Sequence, residues 1–152
     1  MRVKLCLLFL CFTGLLSAQA LPDDLKGPVH LYAKVYNIPP FVFERLIIGE
    51  DMIYCETVHN SDGTRDHGIM AFNDSTLIDI WKVDPKFNPY DTIQALDWGG
   101  RKLRERYKIF GNWYDTIGSW NMGVRGWKDY LKGKRELPKS TRRLLIIVFG
   151  KV

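Results

Sequence analysis

The chain has 152 residues, 46% of them hydrophobic and 13% aromatic, with three cysteines and a net charge of +5. That composition excludes an intrinsically disordered chain, and the length leaves room for one folded domain. The basic residues are scattered rather than striped, which argues against nucleic acid as a partner and suits an anionic substrate or surface.

In chain order, the first twenty residues place Arg2 and Lys4 ahead of an apolar run over 5–16, closed by the small-residue pattern Ala18-Gln19-Ala20. This predicts an export signal cleaved after Ala20, a mature domain over 21–152, and a periplasmic or secreted location. A dozen apolar residues fall short of the roughly twenty needed to cross a bilayer, so no stable membrane anchor is expected. Cys6 and Cys11 leave with the signal, and Cys55 reads as a buried apolar residue with no role. Loss of Arg2 and Lys4 lowers the charge to +3. Lys132, Lys134 and Arg135, then Lys139, Arg142 and Arg143, form the local basic concentrations and read as a solvated face that could meet an acidic cell wall.

A short first helix is predicted over 30–36, broken by Asn37-Ile38-Pro39-Pro40. Pro40 is suited to start the next helix, whose first position needs no backbone donor. That helix, predicted over 40–54, carries Phe43, Leu46, Ile47, Ile53 and Tyr54 at helical spacing, with Val42, Ile48 and Met52 widening the stripe. Glu50 stands on this apolar stripe, where a carboxylate is costly unless it has a partner or a function.

Asp62-Gly63 within residues 59–68 predicts a small antiparallel hairpin. Turn signals at Asp84-Pro85 and Asn88-Pro89 lead to a helix over 91–110, with Ile93, Leu96, Gly100, Leu103 and Tyr107 as its stripe and Gly111 as its stop. Two shorter helices are predicted over 114–120 and 124–131, and the apolar run 144–149 is expected to close the core.

Together these segments resemble the lytic transglycosylase family, the single-glutamate branch of the lysozyme superfamily, over residues 31–145. Tyr36-Asn37-Ile38-Pro39-Pro40 leads into Ile48-Gly49-Glu50, like the family's Tyr-x-Ile-Pro-Pro approach to its catalytic glutamate. Asp62-Gly63-Thr64-Arg65-Asp66-His67-Gly68-Ile69-Met70-Ala71-Phe72-Asn73 is similar to the family's Asp-Gly-Ser/Thr-x-Asp-Tyr-Gly-Leu-Met-Gln-Ile-Asn segment. Asp84-Pro85-Lys86-Phe87-Asn88, Ser119-Trp120-Asn121-Met122-Gly123 and Pro138-Lys139-Ser140-Thr141-Arg142 resemble three further family elements, in family order. Three positions depart from the pattern: Asp51 for serine, Ala71 for glutamine and Trp120 for tyrosine.

The resemblance implies an α+β, mainly α, lysozyme-like fold with a hairpin beside a substrate cleft. It implies cleavage of the MurNAc–GlcNAc β-1,4 linkage of peptidoglycan with formation of 1,6-anhydro ends, Glu50 acting as acid and then base, without a cofactor. Met70, Ala71, Trp120 and Asn121 are the expected substrate contacts, and secretion-system or flagellar assembly proteins the implied partners. Residues 60–68 also resemble the hairpin of chicken-type lysozymes, in which the position of Asp66 is a second carboxylate, so hydrolysis by Glu50 and Asp66 stays open. A silent wall-binding or assembly protein is the alternative of another class.

No metal site is predicted. His59, Asp62, Asp66 and His67 lie close in sequence, but a hairpin sends alternate residues to opposite faces, and neither a His-Glu-x-x-His nor a complete calcium loop is present. Among Trp98, Trp113, Trp120 and Trp127, core packing is the default, and only Trp120 is expected against a sugar.

Overall fold

The computed structural model describes residues 20–53 and 57–152. The predicted signal cleavage site therefore falls at the edge of the described residues, and Tyr54 and Cys55 lie outside them. The first helix, α1, runs Asp23–Val35, seven residues earlier than its predicted start. Gly27 and Pro28 are poor helix formers, yet packing of Val29 and Ala33 into the core carries the helix through them. A proline near a helix start forfeits few internal bonds, and Asp23 and Asp24 favour the positive end of the helix dipole.

Helix α2, Pro40–Glu50, starts at the predicted proline and buries Val42, Phe43, Leu46, Ile47 and Gly49. It stops four residues short of the predicted end, because Asp51 turns into the left-handed region at φ 58° and donates its N–H to the carbonyl of Ile48. Glu50 is thus the last residue of the helix, and the next side chain is turned away from the stripe.

Three short strands follow, β1 Thr57–His59, β2 Arg65–His67 and β3 Phe72–Asn73, in an antiparallel sheet of that order. The predicted hairpin is β1–β2, with Val58 opposite Asp66, closed by a turn in which Gly63 takes φ 84°. The third strand pairs Asp66 with Asn73. It leads directly into α3, Asp74–Val83, an element the sequence reading left out; Asn73 caps it by accepting from the N–H of Ser75. Its buried face is only Leu77 and Ile80, too sparse for periodicity to reveal.

Helix α4, Thr92–Phe110, is capped by Asp91 and stopped by Gly111, as its sequence signals require. Its core face is Ala95, Leu96, Gly99, Gly100 and Leu103; Ile93, predicted on the stripe, is 48% exposed. The two helices predicted next are both present and meet end to end within α5, Trp113–Leu131, where Gly123 leaves helical geometry at φ 69°, ψ 164° and divides them. The terminal apolar run belongs to a longer helix, α6, Lys139–Phe149, which buries Leu144, Leu145 and Val148.

The core lies where α2, α4, α5 and α6 meet, around Phe43, Leu46, Leu103, Trp127 and Leu145. Gly49 lets α6 approach α2 closely, since a Cβ there would stand 2.5 Å from Leu144 Cδ1. That contact holds the end of α2, and therefore Glu50, against a fixed wall. The result is an α+β, mainly α, lysozyme-like arrangement with the sheet standing beside the helical body. Among the described residues no helix is long and apolar enough to cross a membrane.

Candidate active site

A cleft of about 650 Å³ separates the sheet from the helices. Its floor contains Gly49 and Glu50 from α2, Trp120, Asn121, Met122 and Gly123 from α5, and Leu144 from α6. Its sheet-side wall contains Asn60, Asp62, Thr64, Asp66, Ala71 and Asn73.

Glu50 Oε1 is buried without a hydrogen-bond partner. Burial, and secondly the charge of Asp66, push its carboxyl up to about 8, against a smaller opposing pull from Arg143. Its place at the negative end of the α2 dipole acts in the same direction. At neutral pH this side chain is a protonated acid facing the cleft. Asp51 takes no part: its side chain is exposed and approaches Arg143 at 3.9 Å.

Asp66, unlike Glu50, is hydrogen-bonded through both carboxyl oxygens. Asn60 Nδ2 donates to its Oδ2 at 3.0 Å and Asn73 Nδ2 to its Oδ1 at 3.2 Å. Both amides also donate to Thr64 Oγ1, at 3.1 Å each, and Thr64 donates its hydroxyl to Asp62 Oδ1 at 2.7 Å. These Thr64 hydrogen bonds hold the Asp62 carboxyl below the usual carboxylate range. The wall is therefore a satisfied network in which Asp66 acts only as acceptor.

The neighbouring histidine faces the other way. His67 is buried, with Nδ1 against Tyr90 Oη at 2.8 Å and Nε2 against Asp74 Oδ1 at 2.9 Å. His59 is exposed on the same face of the sheet as His67, so His59, Asp62, Asp66 and His67 do not converge. His67 ties the sheet to the start of α3 and to the loop before α4. Gly68, at φ 65°, completes that joint: a Cβ there would lie 1.9 Å from the carbonyl oxygen of Pro89.

The expected substrate contacts divide. Ala71, Trp120 and Asn121 line the cleft. Met70 does not: its side chain is fully buried on Gly99, where a Cβ would stand 2.5 Å from its Cε, so its part is to pack the sheet against α4. Ala71 sits at φ 48°, a conformation that costs an L-residue roughly 1 kcal/mol. Trp120 packs against Phe72 at 6.4 Å and carries the Arg106 guanidinium at 5.1 Å over its ring. Trp127 is a core residue, donating Nε1 to Asp115, while Trp98 and Trp113 are half-buried on α4 and α5. The basic residues 132, 134, 135, 139, 142 and 143 are all exposed, and Arg143 also reaches the cleft.

Sequence reasoning missed Lys102 and Arg106, which line the cleft from α4. Asn60 and Asn73 stood within the segments that carried the resemblance, without a role. A wall amide is detectable from sequence only once strand register is known, because pairing of Asp66 with Asn73 brings those side chains together.

A glutamate with a buried, unpartnered Oε1 at a helix end, looking across a cleft at a polar hairpin, sets the class: a lysozyme-like glycan-cleaving fold. Within that class the chain belongs to the transglycosylase SLT domain family, whose model matches residues 28–142. Peptidoglycan is accordingly its substrate, and lytic transglycosylase its general kind of activity. No curated protein matches the chain.

Proposed function

We propose that this protein cleaves the MurNAc–GlcNAc β-1,4 linkage without water, with Glu50 as the single acid and base. The observation that carries this reading is the unpartnered, buried Oε1 of Glu50, with its carboxyl raised to about 8. Glu50 gives its proton to the glycosidic oxygen as the bond to C1 of MurNAc breaks, releasing GlcNAc with a free hydroxyl. The carboxylate left behind takes the proton of the MurNAc C6 hydroxyl as that oxygen bonds to C1. A 1,6-anhydro ring forms, and Glu50 returns to its protonated state.

Mass spectrometry of purified peptidoglycan digested with the protein tests this, with Glu50→Gln alongside. Anhydro-muropeptides absent from the variant digest are expected. Ordinary reducing ends would replace the reading with hydrolysis, in which Asp66 is the second carboxylate. Its position on the cleft wall under two amide donors favours that second reading over others. Binding with no cleavage would leave a silent wall-binding module.

The export-signal pattern of residues 1–20 supports a periplasmic or secreted location for this activity, where opening the wall for a secretion system or flagellum is the use the resemblance implies. N-terminal sequencing of the exported protein, expected to begin at Leu21, tests the location.

A further inference from the structure

Lys102 and Arg106 stand one turn apart on α4, and both line the cleft. Like charges at this spacing repel, and half-buried cations are costly without a counter-charge. Among the described residues no carboxylate lies within 4.0 Å of either. Arg106 donates Nη1 to the carbonyl of Ser119 at 2.6 Å and stands over the Trp120 ring at 5.1 Å, which fixes the guanidinium at the cleft edge with donors to spare. Burial draws the Arg106 guanidinium down to about 10 against a smaller opposing pull from Glu105, and burial together with Arg106 lowers the Lys102 ammonium against smaller pulls from Glu105 and Asp79. Ser75 and Thr76, in the first turn of α3 at the positive end of its dipole, line the same cleft. The carboxylates Asp62 and Asp66 line it too, but their hydrogen bonds run among the sheet residues.

The geometry points to an anion subsite formed by Lys102 and Arg106 that takes a carboxylate carried on the lactyl group of MurNAc. This rests on the glycan-cleaving reading above, since it assumes that a peptidoglycan strand occupies the cleft. GlcNAc is neutral, and the lactyl group is where the repeating unit of the strand carries its carboxylates, either its own or those of an attached peptide stem. The pair therefore distinguishes peptidoglycan from an uncharged GlcNAc polymer, and it fixes which sugar lies beside Trp120.

The test is calorimetric titration of the full mature chain carrying Glu50→Gln with three soluble tetrasaccharides. These are chitotetraose, (GlcNAc–MurNAc)₂ with free lactyl groups, and the same glycan bearing stem peptides. Expected is binding of at least one MurNAc-containing probe about tenfold tighter than chitotetraose at low salt, the scale of a charge-assisted hydrogen bond. The preference should shrink as salt rises and vanish in Lys102→Gln, with chitotetraose affinity unchanged in that variant as the control for folding; Arg106→Gln should abolish it too. Tighter binding of the bare glycan identifies the lactyl carboxylate, and tighter binding of the stemmed glycan the peptide. In the cleaving protein, Lys102→Gln should raise KM for peptidoglycan and leave kcat in place. Equal affinities for all three probes, a preference untouched by both substitutions, or no saccharide binding overturns the subsite. Failure to release anhydro ends, with the preference intact, overturns the cleavage chemistry and leaves the subsite standing.

Discussion

The floor and the wall of the cleft each present a carboxylate, and the two regions treat it in opposite ways. On the floor, helices packed through Gly49 and Leu144 leave Glu50 Oε1 buried without a hydrogen-bond donor. On the wall, strands too short to bury a face surround Asp66 with the amides of Asn60 and Asn73. A helix end in a packed core withholds donors, whereas a hairpin supplies them from every neighbouring position. The difference teaches that the hydrogen bonds offered to a carboxyl, and with them its chemistry, follow from the architecture around it.

The largest expected effect comes from removing the floor's acid. Glu50→Gln should lower the rate of glycan cleavage about 10³-fold, within the range of general acid–base contributions. The same substitution should stabilise the fold. A carboxyl raised to about 8 binds its proton more tightly folded than unfolded, so between about 4.5 and 8 the native state holds more protons and stability falls as pH rises. At pH 7 the gain in Glu50→Gln is on the order of 3 kcal/mol. Urea denaturation of both proteins at pH 5 and pH 7 checks it; a difference that does not grow with pH would place Glu50 in a wetter site than its burial requires.

Next in size is Gly68→Ala, which attacks the joint between wall and body. The positive φ and the 1.9 Å approach to the Pro89 carbonyl both oppose a Cβ, and together they should cost about 3 kcal/mol or more. A melting temperature lowered by roughly 10 °C is expected in calorimetry.

Legibility in the sequence follows the same division. The floor could be read, because the α2 stripe, the Pro40 start and the misplaced Glu50 are local signals along one helix. The wall could be read only as a turn. Asp62-Gly63 announced the hairpin, but the third strand has two residues and α3 buries only two apolar side chains, too few to show a period. The motif that carries the resemblance points Met70 to the substrate, while the structure buries it in the core on Gly99. Lys102 and Arg106 escaped because a charged residue on an amphipathic helix looks solvated until the facing element is known.

Asn73→Ala sharpens the comparison from the wall side, since Asn73 both caps α3 and donates to Asp66. Loss of the cap should cost about 1 kcal/mol, measurable by denaturant unfolding. Its effect on turnover separates the mechanisms: a transglycosylase relying on Glu50 alone should keep its rate within a few-fold, whereas a hydrolase using Asp66 should lose at least tenfold.

The smallest effects are opposed shifts in the alkaline limb of the activity profile. Activity that needs protonated Glu50 falls as pH rises through about 8. Asp66 raises that carboxyl's pKa and Arg143 lowers it. Asp66→Asn should therefore move the limb to lower pH, and Arg143→Gln to higher pH, each by less than about one unit. The Arg143 shift should be the smaller, because burial comes first and the Asp66 charge second in setting Glu50, and because the Arg143 side chain is 62% exposed and screened by salt. Repeating the profiles at high ionic strength should shrink the Arg143 shift more than the Asp66 shift. Limbs that move the same way in both variants would mean that the titrating group is not Glu50, and that the contrast between a donor-free floor and a hydrogen-bonded wall does not govern the chemistry of the cleft.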